Sequence, residues 1–177
     1  MTGRPTPRCS GQRCTHTPLD DARELVLSRD RETALNQVKR MELIEQINGL
    51  GGIDWDQPLP VVSLEDFFAG NDDLGSIGCN LNEHPGLARF YSTLKSVRDR
   101  FEVQDVLVQI SEVDPDDSSM WPFSERIYIL TAAHPEQVAP WLATLQPSEV
   151  TSGWSNGRPS SVPDEHPDHA VVAAWWD

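Results

Sequence analysis

Apolar residues become clearly periodic only from Met41 onward, and the spacing there switches between helical and alternating. Leu43, Ile44 and Ile47 share one face of a short helix over Met41–Leu50, closed by Gly49, Gly51 and Gly52. After an irregular stretch with Trp55, Pro58 and Pro60, Ser63 caps a short helix at Leu64–Phe68, with Asp66 in a capping-box-like position. Asn71–Asp73 is a turn, and Leu74–Asn80 reads as a small-residue strand weakened by Gly75 and Gly78. Pro85 opens the strongest helix, where Leu87, Phe90, Tyr91, Leu94, Val97 and Phe101 recur at helical spacing. Val103–Val113 alternates as a strand, Asp114–Phe123 is an acidic loop, and Glu125–Ala132 completes a hairpin. Pro135 starts another helix, with Val138, Trp141, Leu142 and Leu145 inward and Pro147 ending it. Residues 147–168 are too polar for core. His169–Trp176 is apolar on both faces, which predicts a strand inside a sheet.

From Leu74 the order is β-α-β-β-α-β, the ferredoxin-like, split β-α-β arrangement. The expected class is α+β: an antiparallel sheet in the order 4-1-3-2, helices on one face, and a short helical N-terminal segment before it. Leu107, Tyr128, Leu130 and one of Trp175 and Trp176 would then lie on a bare face. Residues 41–70 or a second subunit would have to cover it, so a homodimer is among the expectations.

Charge divides the chain. Residues 1–40 carry eight basic against five acidic side chains. Residues 41–177 carry 23 acidic against six basic, a formal balance of −17. The expected organisation is a poorly ordered basic N-terminal extension, 1–40, and a single acidic α+β domain, 41–177. Residues 1–18 have Met1 as their one large apolar residue, too little to offset ordering entropy. Leu19–Arg40 has only a narrow apolar stripe.

The longest apolar run, Ala170–Trp176, falls far short of the roughly 20 residues a bilayer needs. No apolar stretch follows Arg4, Arg8 and Arg13 as in a secretory signal, so a cytoplasmic location without a membrane partner is expected. Nucleic acid is excluded as a partner, because its recognition neutralises phosphates with Lys and Arg. A basic protein is favoured, since such a surface accelerates encounter with positive charge. Cys9, Cys14 and Cys79 form no disulfide framework. Cys9, Cys14 and His16 lack the spacing and fourth ligand of a zinc site, and no cofactor motif is present.

Four constellations carry candidate chemistry. Counting Asp114 as the first residue of a calcium loop, Asp116, Ser118 and Glu125 fall at ligand positions and the Met120 carbonyl at another. Ser119 stands where the sharp turn wants Gly, and strands flank the loop, so a solvated acidic loop with Trp121 and Phe123 tucked inward is the commoner outcome. Asn80, Asn82, Glu83 and His84, with Asp72 nearby, join the first strand to the main helix and would form a ligand site at a helix N-terminus. Capping is the commoner fate of such residues. Asp164–His169 alternates carboxylates and imidazoles but lies in a Pro-rich loop without rigid support. Trp121 and Trp154 sit in loops among acidic neighbours, the setting in which aromatic rings grip Arg or Lys.

No nucleophile, base and orienting group occur together, so no catalytic residue is assigned. In size, acidity and lack of a catalytic motif the chain is similar, in general character, to small cytoplasmic proteins that neutralise basic toxins or regulate a partner. The leading expectation is a non-enzymatic protein-binding module. Asp114, Asp116, Asp117, Trp121, Glu125 and Trp154 would form its contact surface. The second is a small-molecule or metal-binding domain using Asp72, Asn80, Asn82, Glu83 and His84.

Overall fold

The computed structural model describes residues 18–177, with side chains from Leu27 onward. Expectations for residues 1–17, including Cys9, Cys14 and His16, lie outside the described residues. No Gly or Pro occurs between Leu19 and Asn48, so nothing breaks a helix there. Helix α1 accordingly runs over Pro18–Gly49, 32 residues, and the helix expected at Met41–Leu50 is its C-terminal part. Leu35–Asp177 form one compact unit, and the residues up to Ala34 belong to a separate one.

The unit is an α+β arrangement built on a five-stranded antiparallel sheet. The strands are β1 (Val61–Ser63), β2 (Val103–Gln109), β3 (Arg126–Thr131), β4 (Glu149–Ser152) and β5 (Ala170–Trp175), in the order β1-β2-β3-β5-β4. Helix α2 (Leu64–Phe68) follows β1 directly, and the Asp66 N–H donates to Ser63 Oγ at 3.0 Å, as the cap predicts. Helix α3 (Leu87–Arg98) packs Phe90, Leu94 and Val97 onto the sheet. Helix α4 (Pro135–Val138) passes into a 3₁₀ segment, Ala139–Leu145, that buries Leu142 and Leu145 on the same side. Leu43 and Ile47 of α1 join this core.

The ferredoxin-like order is not the one formed. Leu74–Asn80 does not make a strand: the Asp73 side chain caps a single 3₁₀ turn at Leu74–Ser76, and Gly78, at φ 65°, turns the chain. From this segment Ile77 meets the hairpin in an isolated bridge to Ser124, whose N–H donates to the Ser76 carbonyl at 2.8 Å. A short strand forms earlier, at Val61–Ser63, where two β-branched residues follow Pro60, and it pairs with β2 at one edge of the sheet. Strand β4 arises from the stretch expected to be loop. It lies outside β5, so β5 is inside the sheet as its two apolar faces require.

The second sheet face is not bare. Val61, Leu107, Tyr128, Leu130, Val171 and Ala173 are covered by Val162 and Trp154 from the β4–β5 connection. Neither residues 41–70 as a whole nor a second subunit is needed to seal it. Trp176 sits in the main core, its Nε1 donating to the Leu145 carbonyl at 2.7 Å, and Trp175 lies half-buried near Arg126. Phe101, placed inward by spacing, is 99% exposed because α3 ends at Arg98. Trp141 is half-buried under the Arg100 guanidinium, 4.0 Å from its ring.

Candidate functional site

Arg40 organises the acidic loop. It shares the face of α1 with Leu43 and Ile47, at spacings of three and seven residues, and that face enters the core. Its side chain is therefore drawn in, leaving the residue 3% exposed. A buried guanidinium needs acceptors. It finds them in main-chain carbonyls: Met120 at Nε (2.6 Å), and Asp117 (2.7 Å) and Asp114 at Nη2. Gln37 adds a bond from Nε2 to the Ser118 carbonyl at 2.8 Å.

With its carbonyls turned inward, the loop directs its carboxylates outward. Asp114, Asp116 and Asp117 are exposed. Asp114 Oδ1 accepts the N–H groups of Asp116 and Asp117, and Asp117 Oδ1 accepts both N–H and Oγ–H of Ser119. The Ser119 bonds hold the Asp117 carboxyl below its ordinary pKa. A second acidic segment lies alongside. Asp73 Oδ2 accepts the Trp121 N–H at 3.0 Å, and Asp72 Oδ2 accepts a bond from Asn36 at 3.1 Å. Among the described residues none of Asp72, Asp114, Asp116 and Asp117 forms an ion pair.

This arrangement answers the calcium pattern. The Met120 carbonyl, a required ligand, is occupied by a cation of the protein's own. No grouping of three or more His, Cys, Asp or Glu suited to a metal occurs among the described residues, Asp164–His169 included. In that segment Asp164 and Glu165 pair with Arg158 instead.

Two expected contact residues turn inward. Trp121 is 5% exposed and belongs to the main core. Trp154 is half-buried with its ring centroid 4.5 Å from that of Tyr128, and serves as cover for the sheet. Glu125 is half-buried, and its carbonyl accepts the Trp176 N–H. Only the Asp114, Asp116 and Asp117 part of the expected surface faces solvent together. Arg40 was missed as part of the arrangement, although a lone Arg in register with Leu43, Ile44 and Ile47 is a signal for burial.

The residues expected to form a ligand site do not converge. Asn80, Asn82 and Glu83 are exposed, and Asp72 is held by Asn36. His84 closes its turn: Nδ1 accepts the Gly86 N–H at 3.0 Å, so Nε2 carries the proton and donates to the Ile77 carbonyl at 2.8 Å. Its ring stacks on Phe90. Gly86, not Asn82 or Glu83, occupies the N-cap of α3.

A cleft of about 350 Å³ does lie nearby, between α2 and α3. Phe68, Leu87 and Tyr91 line it, with Glu65 and Asn71 at the edge. Arg98 grips Glu65 through two bonds, 2.7 and 2.5 Å, which lowers the Glu65 pKa to about 2 and raises that of Arg98. Burial pushes the nearby Asp105 carboxyl the other way, up. With its guanidinium committed to Glu65, Arg98 offers little to an anionic ligand.

Residues 38–174 match the model of the family described as "Uncharacterized protein YfbO family". The chain is 36% identical over 140 residues to the protein "Uncharacterized protein YfbO" of Escherichia coli (strain K12), a match covering 77% of this chain and 98% of that one. No solved structure matches. The matched span takes in Arg40 and both acidic segments while leaving Asn36 and Gln37 outside, and over that span the chain belongs to the YfbO family.

Proposed function

We propose that the protein is a non-enzymatic acidic module that engages a basic protein partner, as a neutraliser or regulator, through the Asp114–Asp117 loop and the adjoining Asp72. The observation that carries this reading is the Arg40 anchor. It holds a loop of exposed carboxylates, without ion pairs among the described residues, in one conformation, and preorganisation lowers the ordering cost of binding. Positive charge elsewhere in the unit is largely absorbed. Arg98, Arg100 and Arg158 are in ion pairs, and Lys95 and Arg126 lie over aromatic rings. No helix among the described residues is long and apolar enough to cross a membrane, and a cytoplasmic setting accompanies this reading.

The test is affinity capture with the full chain at low salt. A protein of basic composition should be retained and released as salt rises. Asp116→Asn with Asp117→Asn should cut recovery about tenfold while keeping the Ser119 bonds, because exposed charges chiefly steer encounter. Recovery indifferent to salt and to these substitutions overturns the proposal.

A second reading rests on the α2–α3 cleft, whose volume lies within the ~300–1,000 Å³ typical of small-molecule sites. A thermal-shift screen of metabolites separates the two readings. A ligand-specific rise abolished by Tyr91→Ala favours the cleft, since ligands that bind only the folded state stabilise it.

A further inference from the structure

The part of α1 that belongs to the main unit keeps two large apolar side chains outside the core: Val38 and Met41 are 53 and 60% exposed. They face away from the side that carries Arg40, Leu43 and Ile47 inward. Buried Ile44 continues the same row at a spacing of three. A shallow groove of about 620 Å³ follows the row, with Gln37 and Asn48 along one edge and Glu42 and Glu45 on the other. Such a groove between rows of side chains is what a ridge on another helix fills.

The charges around the groove are of one sign. Glu42 and Glu45 are exposed on the helix itself. On the opposite edge Gln37 donates to the Ser118 carbonyl at 2.8 Å, so the acidic loop adjoins the groove directly. Asp116 and Asp117, exposed and without ion pairs among the described residues, precede that carbonyl in the chain. The cations of this stretch are already committed: Lys39 pairs with Glu42 at 2.7 Å, and Arg40 is buried against main-chain carbonyls. An apolar floor between two acidic edges fits an occupant with an apolar stripe and basic flanks. A second copy of this helix does not fit, because its own Glu42 and Glu45 would meet these carboxylates.

We propose that the partner docks through a basic amphipathic helix. Its apolar face lies along Val38, Met41 and Ile44, and its Lys and Arg side chains reach Glu45 on one side and Asp116 and Asp117 on the other. This rests on the reading of the Asp114–Asp117 loop as a contact surface and adds the apolar anchors that exposed charges alone, screened by salt, do not supply.

The test is fluorescence anisotropy of labelled synthetic peptides titrated with the full chain. One peptide of Leu and Lys gathers its Leu on one helical face. A second has the same composition with the Leu scattered, and a third carries Glu in place of Lys in the first. The first should bind about tenfold more tightly than the second, the gain expected from apolar anchors at the centre of an interface, and the third should not bind. Val38→Ser with Met41→Ser, both at exposed positions, should remove that tenfold advantage and leave the far-ultraviolet circular dichroism spectrum unchanged. Asp116→Asn with Asp117→Asn should weaken both basic peptides. Equal binding of the first two peptides, or wild-type affinity in the Val38 and Met41 variant, overturns the groove; the loop reading then stands if the aspartate variant still binds more weakly. Basic peptides indifferent to salt and to the aspartate substitutions overturn the loop reading, and the groove proposal with it. A sedimentation mass that doubles with concentration in the wild type, and not in the Val38 and Met41 variant, gives the face to a second copy and overturns the proposal.

Discussion

The Arg40 Nε–H donates to the main-chain carbonyl of Met120 at 2.6 Å, across a separation of 80 residues. This bond, with those to Asp114 and Asp117, joins a helix outside the sheet to the loop between β2 and β3. A negative loop is thus held by a positive group that scarcely touches solvent, and its backbone rather than its carboxylates receives that charge.

Replacing Arg40 by Met should therefore cost about 2 kcal/mol, the order expected on losing charge-assisted bonds to carbonyls that water can partly rehydrate. Arg40→Lys should recover little, because an ammonium lacks the planar fork. Urea denaturation measures the loss, and limited proteolysis should show new cleavage within residues 114–120.

The Glu65–Arg98 pair predicts an acid-sensitive contribution to stability. The Glu65 pKa is depressed from 4.5 to about 2, so the folded state holds this proton less tightly than the unfolded chain does. Its stabilisation is complete above about pH 4.5 and fades as pH falls toward 2. With the Glu65 side chain 48% exposed, solvent screening limits it to about 1 kcal/mol or less. Glu65→Gln should be less stable than the wild type at pH 7, and the gap should close through that window in denaturant titrations.

Tyr128 anchors the cover of the second sheet face. Its hydroxyl accepts from Gln109 Nε2 at 3.1 Å and meets Ser155 Oγ at 2.5 Å, while the residue is fully buried. Tyr128→Phe should cost about 1–2 kcal/mol, because the buried Gln109 amide loses an acceptor. Hydrogen exchange should rise first at residues 153–162, which that hydroxyl helps to dock.

Gly78 is the turn that ends the expected strand. A Cβ there would approach Phe90 Cζ to 2.9 Å and Leu81 Cδ1 to 3.1 Å, and φ is already positive at 65°. Gly78→Ala should lower stability by about 1–3 kcal/mol, combining left-handed strain with overpacking of the Phe90 ring. A lowered melting temperature with an unchanged circular dichroism spectrum would show that effect.

Local chemistry determined much of this protein. The Ser63 cap, the β2–β3 hairpin and the two-sided apolarity of β5 rest on residues a few positions apart and formed as their spacing predicts, as did the α3 stripe through Phe90, Leu94 and Val97, although the helix starts after Pro85, at Leu87, and stops short of Phe101. The acidity of Asp114–Asp117 and its exposure were likewise legible. Distant pairings decided the rest. Periodicity marks which face of an element is apolar, and it does not name the segment that will cover that face. Val162 and Trp154 fold over a sheet face that residues 41–70 or a second subunit had been expected to bury, and Trp121 enters the core instead of meeting a partner. Asp73 spends its carboxylate capping a turn and holding Trp121, which removes a strand from the expected order. Arg40 shows the difference most plainly: its register implied burial, but three carbonyls 74 to 80 residues away made that burial affordable.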